Sequence, residues 1–210
     1  ALAAVSTSGG TVTLLKNATL DDAKLTISED ITIKGNYSID ATVASGETTI
    51  GFTVTNGGKL TLDGVTLNVT GTKNPSDAND NHGTGVDVNF GGTLSLVNGA
   101  QLNLKELNRG TISSKPSNTS ETPGTFTVTG SSITAENIDG NFANGGNWTI
   151  EGGSTVNVST CGDHGLSCDS LTADNSTVNI SGTGLLGVTA REISLVNHGD
   201  HSRQLRYWPA

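Results

Sequence analysis

Long apolar and aromatic side chains are scarce in this chain. Of its 210 residues, 33% are hydrophobic and 4% aromatic, which is lean for a globule with one thick core. No apolar run approaches the ~18 residues of a membrane span, so we expect no membrane insertion by this segment. Methionine is absent, and glycine is abundant, with 28 copies. This composition favours a fold of short strands and tight turns.

Positive charge is also in short supply. The formal net charge is −9 and the isoelectric point is about 4.7. A polyanion is repelled by such a field, so we expect no nucleic-acid partner and no adsorption to anionic lipid. Basic residues gather only near the end, at Arg191, Arg203 and Arg206, too few to reverse the overall charge.

The sequence contains an internal repeat. Five segments share an aliphatic–Thr/Ser–aliphatic run, a polar turn, and an aliphatic–Asn/Thr–aliphatic run. Alternation with a period of two over so few residues indicates short strands with one buried face. The first apolar position of each copy, with a sixth half-copy at Ile193, recurs at Leu60, Leu94, Phe126, Trp148 and Leu171.

The repeat predicts three strands per copy. A further apolar pair precedes most copies, as in Phe52 and Val54 or in Val86 and Val88. We expect the first apolar residues of successive copies to stack in one internal column on adjacent parallel strands. The turn between the two runs is expected to adopt a left-handed backbone, which costs glycine and asparagine little conformational free energy. The turn residues are Gly64, Asn98, Gly130, Gly152 and Asn175.

Three phrases carry a family resemblance: Gly10-Thr-Val-Thr-Leu14, Ile27-Ser-Glu-Asp-Ile-Thr-Ile-Lys-Gly35 and Gly58-Lys-Leu-Thr-Leu-Asp-Gly-Val-Thr-Leu67. They resemble the pectate-lyase-like right-handed β-helix superfamily, and within it the repeat domains of bacterial surface and adhesin-type proteins. The resemblance implies an all-β, right-handed, three-faced parallel β-helix (solenoid) of about six to seven coils. It places the β-helix with N-terminal capping rungs at 1–197, and a C-terminal tail or cap outside the repeat at 198–210.

Catalysis is not expected. Polygalacturonase-like members of the superfamily place paired aspartates, a Gly-His-Gly and an Arg-x-Lys around one cleft. This chain has no Gly-His-Gly and no Arg-x-Lys motif, and Asp21 and Asp22 are its only adjacent aspartates. Its His-Gly dipeptides, at His82, His164 and His198, are interpreted as turn histidines on a polar edge. We therefore predict no catalytic residues and no cofactor.

One stretch resembles a calcium-binding loop. Asp77, Asn79 and Asn81 alternate as the oxygen ligands of a hard cation do. The match is partial, because His82 stands where the tight-turn glycine belongs and Val88 stands where the final carboxylate belongs. A solvated insertion loop is the favoured interpretation, and these three residues remain a weak metal candidate.

The two cysteines, Cys161 and Cys168, lie seven positions apart across a turn. In a secreted chain this spacing favours a disulfide that pins one coil to the next. A buried free thiol is the alternative, because Cys168 aligns with inward-facing positions. Two thiols without further sulfur ligands exclude a structural zinc site.

These patterns together favour an extracellular binding domain. Small residues at Ala1 to Ala4 are typical of a signal-peptidase cut, or are an expression remnant, so we expect a secreted or cell-surface protein. Loops on a rigid scaffold favour recognition of a host or neighbour-cell protein or glycan, and the candidate contacts are Asn79, Asp80, Asn81, His82, Lys115, Asn118, Asn141 and Asn144. The alternatives are a structural spacer or self-assembling envelope or filament subunit, and, less favoured, a polysaccharide-degrading enzyme.

Overall fold

A computed structural model describes residues 8–46, 48–72, 83–114 and 122–196. In those ranges the chain forms strands and no helix, as the sequence predicts. The twenty strands are β1 (Gly10–Thr13), β2 (Ala18–Leu20), β3 (Leu25–Ile27), β4 (Asp30–Lys34), β5 (Ser38–Val43), β6 (Ile50–Val54), β7 (Lys59–Asp63), β8 (Thr66–Gly71), β9 (Thr84–Val88), β10 (Thr93–Val97), β11 (Gln101–Leu107), β12 (Arg109–Ile112), β13 (Thr125–Thr129), β14 (Ser132–Ile138), β15 (Ala143–Asn144), β16 (Asn147–Glu151), β17 (Thr155–Cys161), β18 (Leu166–Asp174), β19 (Thr177–Thr183) and β20 (Val188–Val196).

The described strands pair in parallel, mostly with the strand three places away along the chain. A 7-stranded sheet runs β19-β17-β14-β11-β8-β5-β2. A 13-stranded sheet runs β1-β4-β7-β10-β13-β16-β18 in one arm and returns through β15-β12-β9-β6-β3 in the other. The two arms join at β18, because its first residues pair with β15 and its later residues with β16. The strand β20 then pairs along β18.

The predicted internal column is confirmed. In-register pairs connect Leu60 to Leu94, Leu94 to Phe126, Phe126 to Trp148 and Trp148 to Leu171. All five side chains are buried. Because parallel strands lie about 4.8 Å apart, each of these side chains packs directly on the next.

The predicted third strand is present in part. The apolar pairs before the first two copies form strands of their own, β6 and β9, in which Phe52 aligns with Val86 and Val54 with Val88. In the last two copies the pair runs on into the strand of the copy itself, as β18 and β20. The turn residues take the left-handed backbone expected of them, with φ between 45° and 70° at Gly64, Asn98, Gly130, Gly152 and Asn175.

The largest core side chains meet at one point of the column. The rings of Phe126 and Trp148 are stacked, with centroids 4.3 Å apart and planes within 3° of each other. The ring of Phe142 tilts against Trp148 at 5.8 Å. Gly146 makes room for this stack, since a Cβ there would lie 2.5 Å from Cε2 of Phe126. The indole Nε1 of Trp148 donates to the carbonyl of Gly145 at 3.3 Å, so the ring is buried without an unpaired donor.

Replacing Trp148 by alanine is expected to lower the free energy of unfolding by about 3–5 kcal/mol, because it removes the stack and leaves a cavity. Urea denaturation followed by circular dichroism measures the change. The matched control is Tyr37→Ala, since Tyr37 is an exposed aromatic whose loss should cost far less. Equal losses for the two variants would contradict the packing described here.

Candidate functional site

The two longest connections between consecutive strands meet the same pair of strands. Residues 72–83 lead into β9, and residues 113–124 follow β12. The strands β9 and β12 are parallel neighbours, with Val86 opposite Thr111 and Asp87 opposite Ile112. One connection therefore enters at the start of this strand pair and the other leaves at its end. The described stems of the two connections therefore bracket this strand pair, one at each end.

The outer surface carries a short column of unlike side chains, which we call the bracketed column. It consists of Thr53, Asp87, Ile112 and Asn144, aligned through successive pairings. Asn144 is exposed, while Thr53 and Ile112 are half-buried. Arg109 is exposed at the start of β12. The column offers an amide, a hydroxyl and an aliphatic group to a ligand, and the guanidinium of Arg109 belongs to the same strand as Ile112, three residues earlier.

Asp87 is the exception in the bracketed column, because it is only 3% exposed. Its Oδ1 accepts a hydrogen bond from the backbone N–H of Ser114 at 3.1 Å, and its Oδ2 accepts one from the Ser114 hydroxyl at 2.6 Å. The side-chain amide of Asn89 satisfies the hydrogen bonding of this cluster when its nitrogen faces the carboxylate. In that orientation the nitrogen donates to Oδ1 of Asp87 at 3.2 Å and to Oδ2 at 3.1 Å. Asp87 is thus held by donors on both sides.

The same cluster ties the 113–124 connection to the sheet. The carbonyl of Ser114 accepts from the N–H of Phe90, and the N–H of Ser113 donates to the carbonyl of Asn144. The hydroxyl of Ser113 accepts from the N–H of Gly124 at 2.8 Å. The two ends of the connection are therefore fastened beside the bracketed column.

Burial sets the ionisation of Asp87. Desolvation raises the pKa of its carboxyl above the ordinary value of 3.8, and the hydrogen bonds from Ser114 oppose that rise. A raised pKa means that the unfolded chain ionises first as the pH increases. The stability that Asp87 contributes is then full below pH 3.8 and is lost as the pH rises through the folded pKa.

Two substitutions separate the hydrogen bonds of Asp87 from its charge. Asp87→Ala should lower the free energy of unfolding by about 1–3 kcal/mol, because it strands the donors of Ser114 and Asn89. Asp87→Asn keeps an acceptor and removes the buried charge, so its stability relative to wild type should improve as the pH rises from 3 to 7. Urea titrations at several pH values measure both effects. A constant difference across that range would show that the Asp87 pKa is not raised.

Most of the predicted contact residues lie outside the described residues. These are Asn79, Asp80, Asn81, His82, Lys115 and Asn118, and the calcium candidate built on Asp77, Asn79 and Asn81 is outside them as well. No cluster of three metal-ligating side chains occurs in the part of the chain that the structure describes.

The two contact residues that are described have different environments. Asn141 builds a turn: its Oδ1 accepts from the N–H of His164 at 3.1 Å, and its carbonyl accepts from the N–H of Gly110. Asn144 stands exposed in the bracketed column. His164 has a comparable turn role, because its Nδ1 accepts from the N–H of Leu186 at 3.3 Å. Only Asn144 is thus placed on the candidate surface.

The predicted disulfide between Cys161 and Cys168 is wrong in this structure, where both are buried free thiols. The reason is their placement on different sheets. Cys161 ends β17, aligned with Ile138, and Cys168 lies in β18, aligned with Ala190. Each sulfur takes the core position of its own strand instead of meeting the other.

Desolvation makes both thiols poor nucleophiles. Burial raises the pKa of Cys161 to about 11, against a small opposing effect of a backbone hydrogen bond at Phe142. Burial also raises the pKa of Cys168 to about 12, and the negative charge of Asp169 adds to the rise. Because the thiolate is the reactive species, neither residue has the character of a redox or catalytic cysteine.

Thiol titration tests this arrangement. The folded protein at pH 8 should react negligibly with a disulfide reagent, and the denatured, unreduced protein should show two free thiols. Above pH 9 the unfolded chain ionises its thiols first, so the free energy of unfolding should fall between pH 9 and 11. A variant with both cysteines changed to alanine should show less of that fall. Finding no thiol in the denatured protein would restore the disulfide.

Comparisons with known proteins assign no family. No protein-family model matches the chain, and no curated protein or solved structure matches it at a significant level. Among the described residues, no helix is long and apolar enough to cross a membrane. The chemistry of the bracketed column is therefore the basis for a functional proposal.

Proposed function

We propose that this chain is a non-catalytic, adhesin-like binding domain of a secreted or surface-exposed bacterial protein. Its partner is a macromolecule of a host or neighbouring cell, either a glycan or a protein. The observation that carries the proposal is that the stems of the two longest connections between described strands, 72–83 and 113–124, lie at the two ends of one strand pair. Loops tolerate change while the scaffold holds their stems, which suits recognition.

The proposed scaffold is a right-handed, three-faced parallel β-helix of about six to seven coils, similar to the pectate-lyase-like superfamily. Support comes from the pairing of strands three places apart and from the three runs of stacked strands. Parallel crossover connections are right-handed in nearly all proteins. In such a scaffold the stems of both connections are fixed in register, so the surface between them is preorganised.

The chemistry of the bracketed column favours binding over turnover. Hydrolysis of a glycosidic bond calls for two carboxyl groups about 5–10 Å apart that face the substrate. The carboxylate of Asp87 is 3% exposed and is engaged by Ser114 and Asn89, which gives it a structural role. The exposed amide of Asn144 and the guanidinium of Arg109 are suited to hydrogen-bonding the hydroxyl groups of a glycan or the carbonyls of a protein.

A structural or self-assembling subunit is the second candidate. The last described strand, β20, leaves aliphatic side chains exposed at one end of the stack. A surface of this kind permits end-to-end association. Light scattering over a range of protein concentrations distinguishes an assembling subunit from a monomeric binding domain.

The binding proposal is tested by a screen of the whole chain against immobilised pectin, alginate, glycosaminoglycans and mucin glycans. We expect capture by at least one of these without release of reducing ends or unsaturated uronates. The double variant Arg109→Ala/Asn144→Ala should weaken that capture about fivefold or more, the effect of losing roughly 1 kcal/mol at a contact.

The matched control is Lys105→Ala/Asn179→Ala, which removes one cation and one amide from the smaller sheet, where both residues are exposed. It should leave capture unchanged. Equal weakening by both double variants would place the contact elsewhere, and reproducible depolymerisation would overturn the non-catalytic proposal.

A further inference from the structure

The smaller sheet carries a row of aligned polar side chains on its outward face. Alternate residues of its strands are buried in the core, as Leu102 and Leu104 are in β11. The residues between them lie on the outward face and are exposed or half-buried. The central row of that face, which we call the amide row, is aligned through parallel pairing and consists of Asp40, Asn68, Asn103, Thr134, Asn157 and Asn179.

Hydrogen bonds hold the amides of this row in one orientation. Nδ2 of Asn68 donates to Oδ1 of Asp40 at 2.6 Å, and Nδ2 of Asn103 donates to Oδ1 of Asn68 at 2.8 Å. Further along the row, Nδ2 of Asn179 donates to Oδ1 of Asn157 at 2.9 Å. Each of these bonds uses one of the two N–H groups of an amide and one lone pair of its acceptor oxygen. The row therefore keeps ordered donors and acceptors that face solvent.

The chain of hydrogen bonds is interrupted at the centre of the row, where Thr134 lies between Asn103 and Asn157. No hydrogen bond among the described residues uses Oδ1 of Asn103, the hydroxyl of Thr134 or Nδ2 of Asn157. Neighbouring strands are about 4.8 Å apart, so an acceptor, a hydroxyl and a donor follow one another across three strands. The two amides are oriented by their other neighbours, so this centre is preorganised for a ligand.

The charge of the smaller sheet disfavours an anionic ligand. The charged residues of its strands are Asp40, Lys105, Glu106 and Glu136. Nζ of Lys105 lies 3.9 Å from a carboxylate oxygen of Glu106 and 4.0 Å from one of Glu136, so the one cation of these strands is already paired. An anionic polymer would meet unbalanced carboxylates on this face. An uncharged ligand avoids that repulsion.

The chemistry of the face also favours a hydroxyl-rich ligand over a protein. The rows on either side of the amide row are polar as well, with Thr66, Ser132 and Thr155 before it and Thr70 and Ser159 after it. The outward face thus lacks the aromatic anchors on which protein interfaces rely. A sugar hydroxyl both donates and accepts a hydrogen bond, as the groups of the amide row do.

We infer that the amide row binds an uncharged polysaccharide chain that lies along the stack, perpendicular to the strands. An extended chain of β-linked hexoses presents hydroxyl groups at regular intervals along its length. Oδ1 of Asn103 accepts from one of them, Nδ2 of Asn157 donates to another, and the hydroxyl of Thr134 bonds between the two. This face belongs to the smaller sheet, whereas the bracketed column belongs to the larger one, so the inference does not rest on the proposed function.

Affinity electrophoresis of the whole chain, in native gels that contain hydroxyethylcellulose or mixed-linkage β-glucan, tests the inference. We expect at least one of these neutral polymers to retard the protein. Asn103→Ala/Asn157→Ala should weaken the affinity about fivefold or more, because two direct hydrogen bonds are lost. Thr134→Val keeps the β-branched shape and removes only the hydroxyl, so it should fold normally and weaken the affinity about twofold or more. Urea denaturation checks that each variant is folded.

The matched control is Asn36→Ala/Asn144→Ala, which removes two exposed amides outside the smaller sheet and should leave retardation by the neutral polymers unchanged. Capture of an anionic polysaccharide should be unaffected by Asn103→Ala/Asn157→Ala, which separates this inference from the proposed function. The absence of retardation by both neutral polymers would overturn the inference. Retardation that the amide-row variants leave unchanged, or that the control weakens equally, would overturn it too.

Discussion

In-register pairing between parallel strands that belong to successive repeats is the interaction on which the rest of this structure depends. Because each strand is bonded to its counterpart one repeat away, a residue's place in the repeat decides its surroundings. Leu60 and Leu94 are aligned and both buried, while Thr61 and Ser95, one position later, are aligned on the other side of the strand. The core is thin, but it is continuous along the stack, so few aromatic residues are needed.

The same constraint decides where variation is tolerated. Inside the column, a larger side chain needs a smaller neighbour, as when Gly146 makes room for the stacked rings of Phe126 and Trp148. At the corners, extra residues leave the ladder intact: β9 and β12 pair in register although long connections precede one and follow the other. Asp87 and Ser114 show how such a connection is fastened, with a buried carboxylate joining its stem to the sheet.

Sequence reasoning succeeded where the repeat itself carries the information. The column through Trp148 and the left-handed turn at Asn98 follow from alternation and turn chemistry, which are local. The disulfide prediction failed because the spacing of two cysteines gives their separation along the chain. It does not tell to which sheet each cysteine belongs. The burial of Asp87 was not predicted, because between Val86 and Val88 it has the pattern of an outward-facing polar position in a strand. Its burial depends on Ser114, a residue from a connection that the repeat does not encode.

Function in such a fold belongs to the positions that the repeat leaves unlike one another. The aligned residues of the internal column are all apolar and buried, so they stabilise the stack but offer no distinct group to a binding partner. The bracketed column breaks that uniformity, since Thr53, Asp87, Ile112 and Asn144 are aligned yet share no chemistry. The last described strand, β20, breaks it as well, because Ile193 continues the column there but is exposed. The proposed recognition surface and the last described strand are therefore at separate places, and substitutions at one are expected to leave the other intact.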